Sequence, residues 1–145
     1  MSLGCGVGDI LAISQLAAKV YTAYKDAPSC YKDVAEEVKS LQIIIKKAAQ
    51  HFQSTALSDD DRQEGQEILN GCQSVLKDLD SLIENYKNLA STNKRLVFKR
   101  VKLGTEDIAT LRARLISNTG LLNSFILRFN IPAITMEYTT LIALP

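Results

Sequence analysis

Apolar residues recur along this chain at steps of three and four, the spacing of one face of an α-helix. The pattern fills four stretches, which polar segments, Pro or Gly separate. The first stretch, Val7 to Ala27, is the most apolar one that could form a single helix. Its predicted core stripe is Ile10, Ile13, Leu16 or Ala17, Val20 and Tyr24.

The surroundings of this stripe lead to further predictions about the first helix. Leu11, Ala12 and Ala18 widen the stripe, so we expect the helix to be buried on more than one side. Asp9 is predicted to cap it, because a carboxylate can accept hydrogen bonds from the exposed amides of a first turn. The Gly-rich residues 1–8 before it are interpreted as a flexible lead.

Three more helices are predicted, from about Ser29 to Gln53, from a cap at Ser58, and from a cap at Thr105 to the residues before Pro132. The predicted core stripe of the second helix is Tyr31, Val34, Val38, Leu41, Ile45, Ala48 and Phe52, broadened by Ile43 and Ile44. That of the third helix is Ile68, Cys72, Val75, Leu79, Leu82, Tyr86 and Leu89. That of the fourth helix is Ile108, Leu111, Leu115, Thr119, Leu122, Ile126 and Phe129.

Short connections between four such helices predict an all-α, antiparallel up-down four-helix bundle. We assign residues 1–130 to the bundle and 131–145 to an irregular apolar tail. Gly65 and Gly71 are unfavourable inside a helix, and close packing against a neighbour would explain one of them. Gly120 is a weak point of the fourth helix for the same reason.

Composition narrows the class of protein. The net charge of +1 gives no bulk attraction to nucleic acid or membrane. Cys5, Cys30 and Cys72 are odd in number and widely spaced, which fits neither a disulfide framework nor a zinc site and favours a reduced, cytoplasmic setting. Asp9 and Lys19 interrupt the first helix, so no stretch of about 18 apolar residues predicts a membrane span.

No set of residues converges for catalysis. His51 cannot reach Cys30, about 30 Å away along the same predicted helix, and is expected at the surface, whereas Cys72 is expected in the core. The run Asp59 to Asp61 is better explained by the positive end of a helix dipole than by a metal ion. We therefore predict no enzymatic activity, no cofactor and no metal.

A basic run lies between the third and fourth helices, at Lys94, Arg95, Lys99, Arg100 and Lys102. It can be a solvated connector, or match the acidic third helix within the molecule. It can also bind anionic lipid, where each surface cation contributes about 1 kcal/mol. Phe98 is the lone aromatic residue within it, a poor platform for stacked bases, so no nucleic-acid partner is expected.

Two blocks of sequence carry a family resemblance. They are GVGDILAISQLAAKVYTAYKDA with Tyr31, Val34, Glu37, Val38, Leu41 and Ile45 after it, and RVKLGTEDIATLRARLISNTGLLNSFILRF, from Arg100 to Phe129. Together they resemble the fungal HeLo-like amino-terminal domain, also called the azaphilone pigments biosynthesis cluster protein L N-terminal domain. The resemblance spans about Gly6 to Phe129, and residues 131–145 lie outside the family pattern.

The resemblance implies a helical bundle that stands at the front of fungal NOD-like receptors and acts in signalling or regulated cell death. In that scheme the chain self-associates on activation, in response to a receptor or sensor protein, and its first helix then engages a membrane. The residues expected to enter the membrane are Ile10, Leu11, Ile13 and Leu16, with the five basic residues on anionic lipid. The alternative is an interaction or oligomerisation domain without membrane activity, which the charges at Asp9 and Lys19 favour.

Overall fold

A computed structural model describes residues 7–27, 29–54, 56–90 and 108–129 of the chain. Within these ranges the chain forms four α-helices and no strand, which confirms the all-α class. They are α1 (Val7–Lys25), α2 (Ser29–Ser54) and α3 (Asp59–Ala90), followed by α4 over residues 108–129. The predicted apolar tail, residues 131–145, and the predicted cap Thr105 lie outside the described residues.

The starts of two helices test the predicted caps. Ser58 does cap α3, because its hydroxyl accepts a hydrogen bond from the Asp61 amide at 3.1 Å. The cap predicted at Asp9 is wrong. Helix α1 begins at Val7, so Asp9 lies within the first turn, and the helical Val7 and Gly8 do not belong to a flexible lead. There the Asp9 carboxylate can still stabilise the positive end of the helix dipole.

One apolar core runs through all four helices, and most of the predicted stripes face it. On α1 the stripe uses Ala17, which is buried, rather than Leu16, which is half-buried. On α2 every predicted stripe residue is buried except the half-buried Phe52. The alternation of steps of three and four therefore identified the buried face of both helices.

Other parts of the stripe predictions were wrong. Leu11 and Ala12 are exposed and Ala18 is half-buried, so α1 is buried on one side rather than on several. Ile43 is exposed as well and does not broaden the stripe of α2, whereas the half-buried Ile44 packs against the core and does. Helix α3 adds Leu69, Leu76 and Ile83 to the core, while Ile68, Leu82 and Tyr86 are half-buried, and α4 adds Phe125. Helix α3 has contacts with both α1 and α4, so its buried face is wider than one stripe.

Close approach of α3 and α4 explains one of the glycines. A Cβ atom on Gly71 would lie 2.5 Å from Oδ1 of Asn118, well inside van der Waals contact. The Asn118 side chain is held there because its Nδ2 donates a hydrogen bond to the Arg114 carbonyl at 2.8 Å. The prediction of close packing is confirmed at Gly71. Around Gly120, by contrast, no atom of the described residues lies within 4 Å of such a Cβ, apart from its chain neighbours and the adjacent backbone of its own helix.

Candidate functional site

The predicted membrane-engaging residues of α1 fall into different environments. Ile10 and Ile13 are buried in the core, Leu16 is half-buried, and Leu11 is 56% exposed. They do not form one surface in this conformation, because Ile10 and Ile13 contact the bundle while Leu11 contacts solvent. The five basic residues between 94 and 102 lie outside the described part of the chain.

A shallow groove of about 410 Å³ follows the seam between α1 and α2. Ile10, Leu11 and Ser14 line it from α1, and residues of the second half of α2 line the other wall: Ile45, Lys46, Ala49 and Gln50. Leu11 therefore sits at the rim of an apolar seam rather than on a polar surface. The seam is where α1 would separate from α2 if the helix left the bundle.

Tyr24 fixes the carboxyl-terminal end of α1. Its hydroxyl is buried and donates a hydrogen bond to the Leu79 carbonyl of α3 at 2.6 Å. Burial also raises the pKa of Tyr24 well above its ordinary value, so the hydroxyl keeps its proton. The ring packs edge-on against Tyr31 of α2 at a centroid distance of 5.9 Å, and Tyr31 packs against Tyr86 of α3 at 5.6 Å.

Lys19 makes a second polar contact between α1 and α3. Its ammonium donates to the Asp80 carboxylate at 3.1 Å and lies 3.7 Å from Glu84. The hydrogen bond to Asp80 is the main reason that the pKa of Lys19 is raised, with the charges of Asp80 and Glu84 adding to it. Because exposed ion pairs contribute little to stability, this contact orients α1 on α3 more than it adds to the free energy of unfolding.

Other carboxylates of α3 are bound to arginines of α4. Arg114 donates to Asp78 at 2.7 Å, and Arg128 donates to both oxygens of Glu64, at 3.0 and 2.9 Å. Arg128 also stacks near Phe125 and Phe129, at 5.3 and 5.6 Å from the ring centroids. The acidic side of α3 thus has cationic partners on α1 and α4 within the described helices.

Cys72 and His51 are not arranged as a nucleophilic pair. Cys72 is fully buried, as predicted, and burial raises its pKa to about 12, so it is a neutral thiol at physiological pH. His51 was expected at the open surface, but it is half-buried against Phe129, with ring centroids 5.5 Å apart. This contact with the end of α4 gives His51 a packing role.

Two properties of the described helices concern metals and membranes. In residues 7–27, 29–54, 56–90 and 108–129, no three His, Cys, Asp or Glu side chains are grouped closely enough to hold a metal ion. Across the same residues, no helix combines the length and the apolar character needed to cross a bilayer.

No family model, no curated protein and no solved structure matches this chain.

The sequence pattern missed both polar anchors of α1. Tyr24 was assigned to the core, and a buried tyrosine hydroxyl normally needs a hydrogen-bond acceptor, so the need for a partner could have been read from its position. The identity of that acceptor could not, because Leu79 lies 55 residues away. Lys19 was recognised only as a charge that interrupts an apolar helix, and its partners on α3 are equally remote in sequence.

Proposed function

We propose that this chain is a HeLo-like signalling module that acts in regulated cell death, by self-association and induced engagement of a membrane by α1. It has no enzymatic activity in this proposal, needs no cofactor, and rests in the cytoplasm until activated. Its partners would be further copies of itself, a receptor or sensor protein, and anionic membrane lipid. The two sequence blocks that resemble the HeLo-like family support the assignment.

The proposal includes an antiparallel up-down arrangement of the four helices. Contacts between helix ends support it. Arg128, near the end of α4, binds Glu64 near the start of α3, whereas Phe52 and Phe125 pack together near the ends of α2 and α4, with ring centroids 5.7 Å apart. Tyr24 at the end of α1 meets Tyr31 at the start of α2. Each of these pairs is expected when successive helices reverse direction.

The observation that carries the functional proposal is the one-sided attachment of α1. One apolar stripe faces the core, Leu11 faces solvent, and two polar contacts, Lys19 with Asp80 and Tyr24 with Leu79, connect the helix to α3. A helix attached on one side can separate from the core by breaking a single apolar contact face and these two polar contacts. Once free, its stripe would provide the apolar face that an interfacial helix needs, and Leu11 would lie at the edge of that face, next to Ile10.

The charges on α1 determine when the helix can leave the bundle and reach lipid. Asp9 and Lys19 disfavour insertion of the helix in its resting form, and Lys19 is bound to Asp80. A trigger would have to separate α1 from α3 before the apolar stripe could reach lipid. The basic residues between 94 and 102 would add attraction to anionic headgroups, which falls as ionic strength rises.

Co-sedimentation with vesicles tests this mechanism. Vesicles containing anionic lipid are expected to bind the chain more than neutral ones, and neutralising Lys94, Arg95, Lys99, Arg100 and Lys102 together should reduce binding. If the intact chain and the neutralised variant both stay in the supernatant, the membrane proposal loses its support.

A second variant tests α1 itself. Leu11→Asp is suitable because Leu11 is exposed at 56%, so the substitution leaves the core intact, and Ile43→Asp on α2 is a matched control at 51% exposure. We expect Leu11→Asp to lower vesicle binding, and to lower cell death when the chain is expressed in a fungal host, while Ile43→Asp changes neither. Equal behaviour of the two variants would argue against a role for α1.

The second candidate is an interaction or oligomerisation domain that never binds membrane. The exposed apolar side chains Ile116, Leu121 and Leu127 on α4 favour it, because none of them lines the groove between α1 and α2. Self-association in solution without any vesicle binding would select this candidate over the first.

A further inference from the structure

The groove between α1 and α2 has apolar walls and a cation at its rim. Four apolar side chains form the walls: Ile10 and Leu11 of α1, and Ile45 and Ala49 of α2. Among the described residues that line the groove, Lys46 is the charged one. The volume of about 410 Å³ falls within the range of ligand pockets, about 300–1,000 Å³. Mostly apolar pockets with a few polar groups, located between the helices of a bundle, typically bind small organic molecules.

The half of α2 that forms this wall carries positive charge without carboxylates. From Val38 to Ser54 the helix contains Lys39, Lys46 and Lys47, and no Asp or Glu. All three lysines are exposed. The ion pairs between the described helices use Lys19 and three arginines of α4, and none of these lysines. An anionic group at the rim of the groove would therefore complement the charge of the α2 wall.

The shape of the groove favours a ligand with a single apolar chain. An alkyl chain laid along the seam would cover the apolar walls and leave water itself, which contributes about 25 cal/mol per Å² of apolar surface buried. A carboxylate at the end of that chain could accept a charge-assisted hydrogen bond from the Lys46 ammonium. A phospholipid carries two chains, and a seam between two helices accommodates one of them, so the other would stay in water.

We propose that this groove is a binding site for a fatty acid, whose alkyl chain packs against Leu11 and Ala49 and whose carboxylate binds Lys46. Because such a ligand contacts both helices, it binds the docked form of α1 and stabilises it relative to the separated form. The fatty acid would thus oppose the release of α1. The binding site does not depend on the proposed function, whereas its effect on membrane engagement rests on it.

Isothermal titration calorimetry of the full chain with dodecanoate, below the concentration at which it forms micelles, tests the site. Binding is expected to saturate at one molecule per chain, with the negative heat-capacity change that accompanies apolar burial. Dodecanol has the same chain without the carboxylate, and it should bind about fivefold more weakly. The absence of saturable binding, or the uptake of several molecules per chain as by a detergent, would overturn the proposal.

Lys46→Gln tests the contact with the carboxylate. This variant should bind dodecanoate about fivefold more weakly and dodecanol as well as the wild type does. Lys32→Gln is the matched control, since Lys32 is exposed on the same helix but lies about 21 Å further along its axis. If the two substitutions weaken dodecanoate binding equally, the general charge of α2 accounts for it, and the assignment of the carboxylate to Lys46 is wrong.

Leu11→Asn tests the apolar wall. Leu11 is 56% exposed, so the substitution leaves the core intact, and far-ultraviolet circular dichroism checks that the helices persist. The variant should weaken dodecanoate and dodecanol alike, by about tenfold. Ile43→Asn is the control, because Ile43 is 51% exposed on α2 and does not line the groove. Unchanged binding to Leu11→Asn would refute the placement of the chain.

Two further readouts separate the site from the membrane mechanism. Saturating dodecanoate should raise the melting temperature of the wild type and have less effect on Leu11→Asn, whereas a fall would indicate preferential binding to the unfolded chain and overturn the proposal. If dodecanoate binds as described and the chain never binds vesicles, the site stands while the membrane mechanism fails. If vesicles bind the chain and dodecanoate does not, the membrane mechanism stands and the fatty-acid site is refuted.

Discussion

The hydrogen bond from Tyr24 to Leu79 provides a test of how firmly α1 is attached. Tyr24→Phe removes one hydroxyl and keeps the ring, so the edge-on contact with Tyr31 is retained. The bond is short, at 2.6 Å, and buried. A neutral hydrogen bond contributes about 1 kcal/mol net, so the variant should lose about that much of its free energy of unfolding. Leu79 lies inside α3, where its carbonyl also faces a helix amide, so no buried acceptor is left without a donor.

The pH dependence of the free energy of unfolding provides a second test of the Tyr24 hydrogen bond. The pKa of Tyr24 is raised in the folded state above the ordinary value of 10.0. The stabilisation that the protonated Tyr24 hydroxyl provides is therefore complete below pH 10. It is lost as the pH rises above 10, because the unfolded chain releases the tyrosine proton at a lower pH than the folded chain does. The stability advantage of the wild type over Tyr24→Phe should shrink above pH 10, by up to about 1.4 kcal/mol per pH unit.

Urea denaturation, followed by far-ultraviolet circular dichroism at pH 7 and at several values above pH 10, measures both the loss of stability and its change with pH. Tyr21→Phe is the matched control, since Tyr21 is only half-buried and lies one turn earlier on α1. An equal effect of the two substitutions at pH 7, or a difference between wild type and Tyr24→Phe that is constant with pH, would refute the reasoning.

Three further predictions concern the other helices. Gly120→Ala should raise the free energy of unfolding, measured by urea denaturation, by about 0.5–1 kcal/mol. Gly71→Ala should raise it less or lower it, because the new Cβ would meet the Asn118 side chain. Ser58→Ala should lower stability by about 1 kcal/mol through loss of the cap, and the exposed Ser81→Ala on the same helix should not. With the other cysteines replaced, Cys72 should react with a thiol reagent only as fast as the chain unfolds; rapid labelling in buffer would contradict its burial and raised pKa.

The sequence predicted the helices well because each carries a long, regular stripe. Helix α2 shows this most clearly, since its predicted start at Ser29 is the observed one and its end at Ser54 differs by one residue. The local rule is sufficient there because the buried face of α2 is a single stripe. The same holds for the cap at Ser58, where donor and acceptor lie three residues apart.

The features that the sequence did not predict depend on how the helices pack against one another. The burial of Leu69, Leu76 and Ile83 follows from the position of α3 between α1 and α4, and one stripe cannot indicate a helix with neighbours on both sides. Leu11 was assigned to the core from its apolar character alone, although exposed leucines are common on folded proteins. The remote bonds of Lys19 and Tyr24 need the packed arrangement itself.

The tyrosine contacts have an experimental consequence. The chain has no tryptophan, and Tyr24, Tyr31 and Tyr86 are three of its five tyrosines. They belong to α1, α2 and α3, and each ring packs edge-on against another. Near-ultraviolet circular dichroism arises from aromatic side chains held in fixed packing. The unlabelled protein thus carries an optical reporter of α1 docking, whose signal should fall in the tyrosine band when α1 leaves, while the far-ultraviolet helix signal persists.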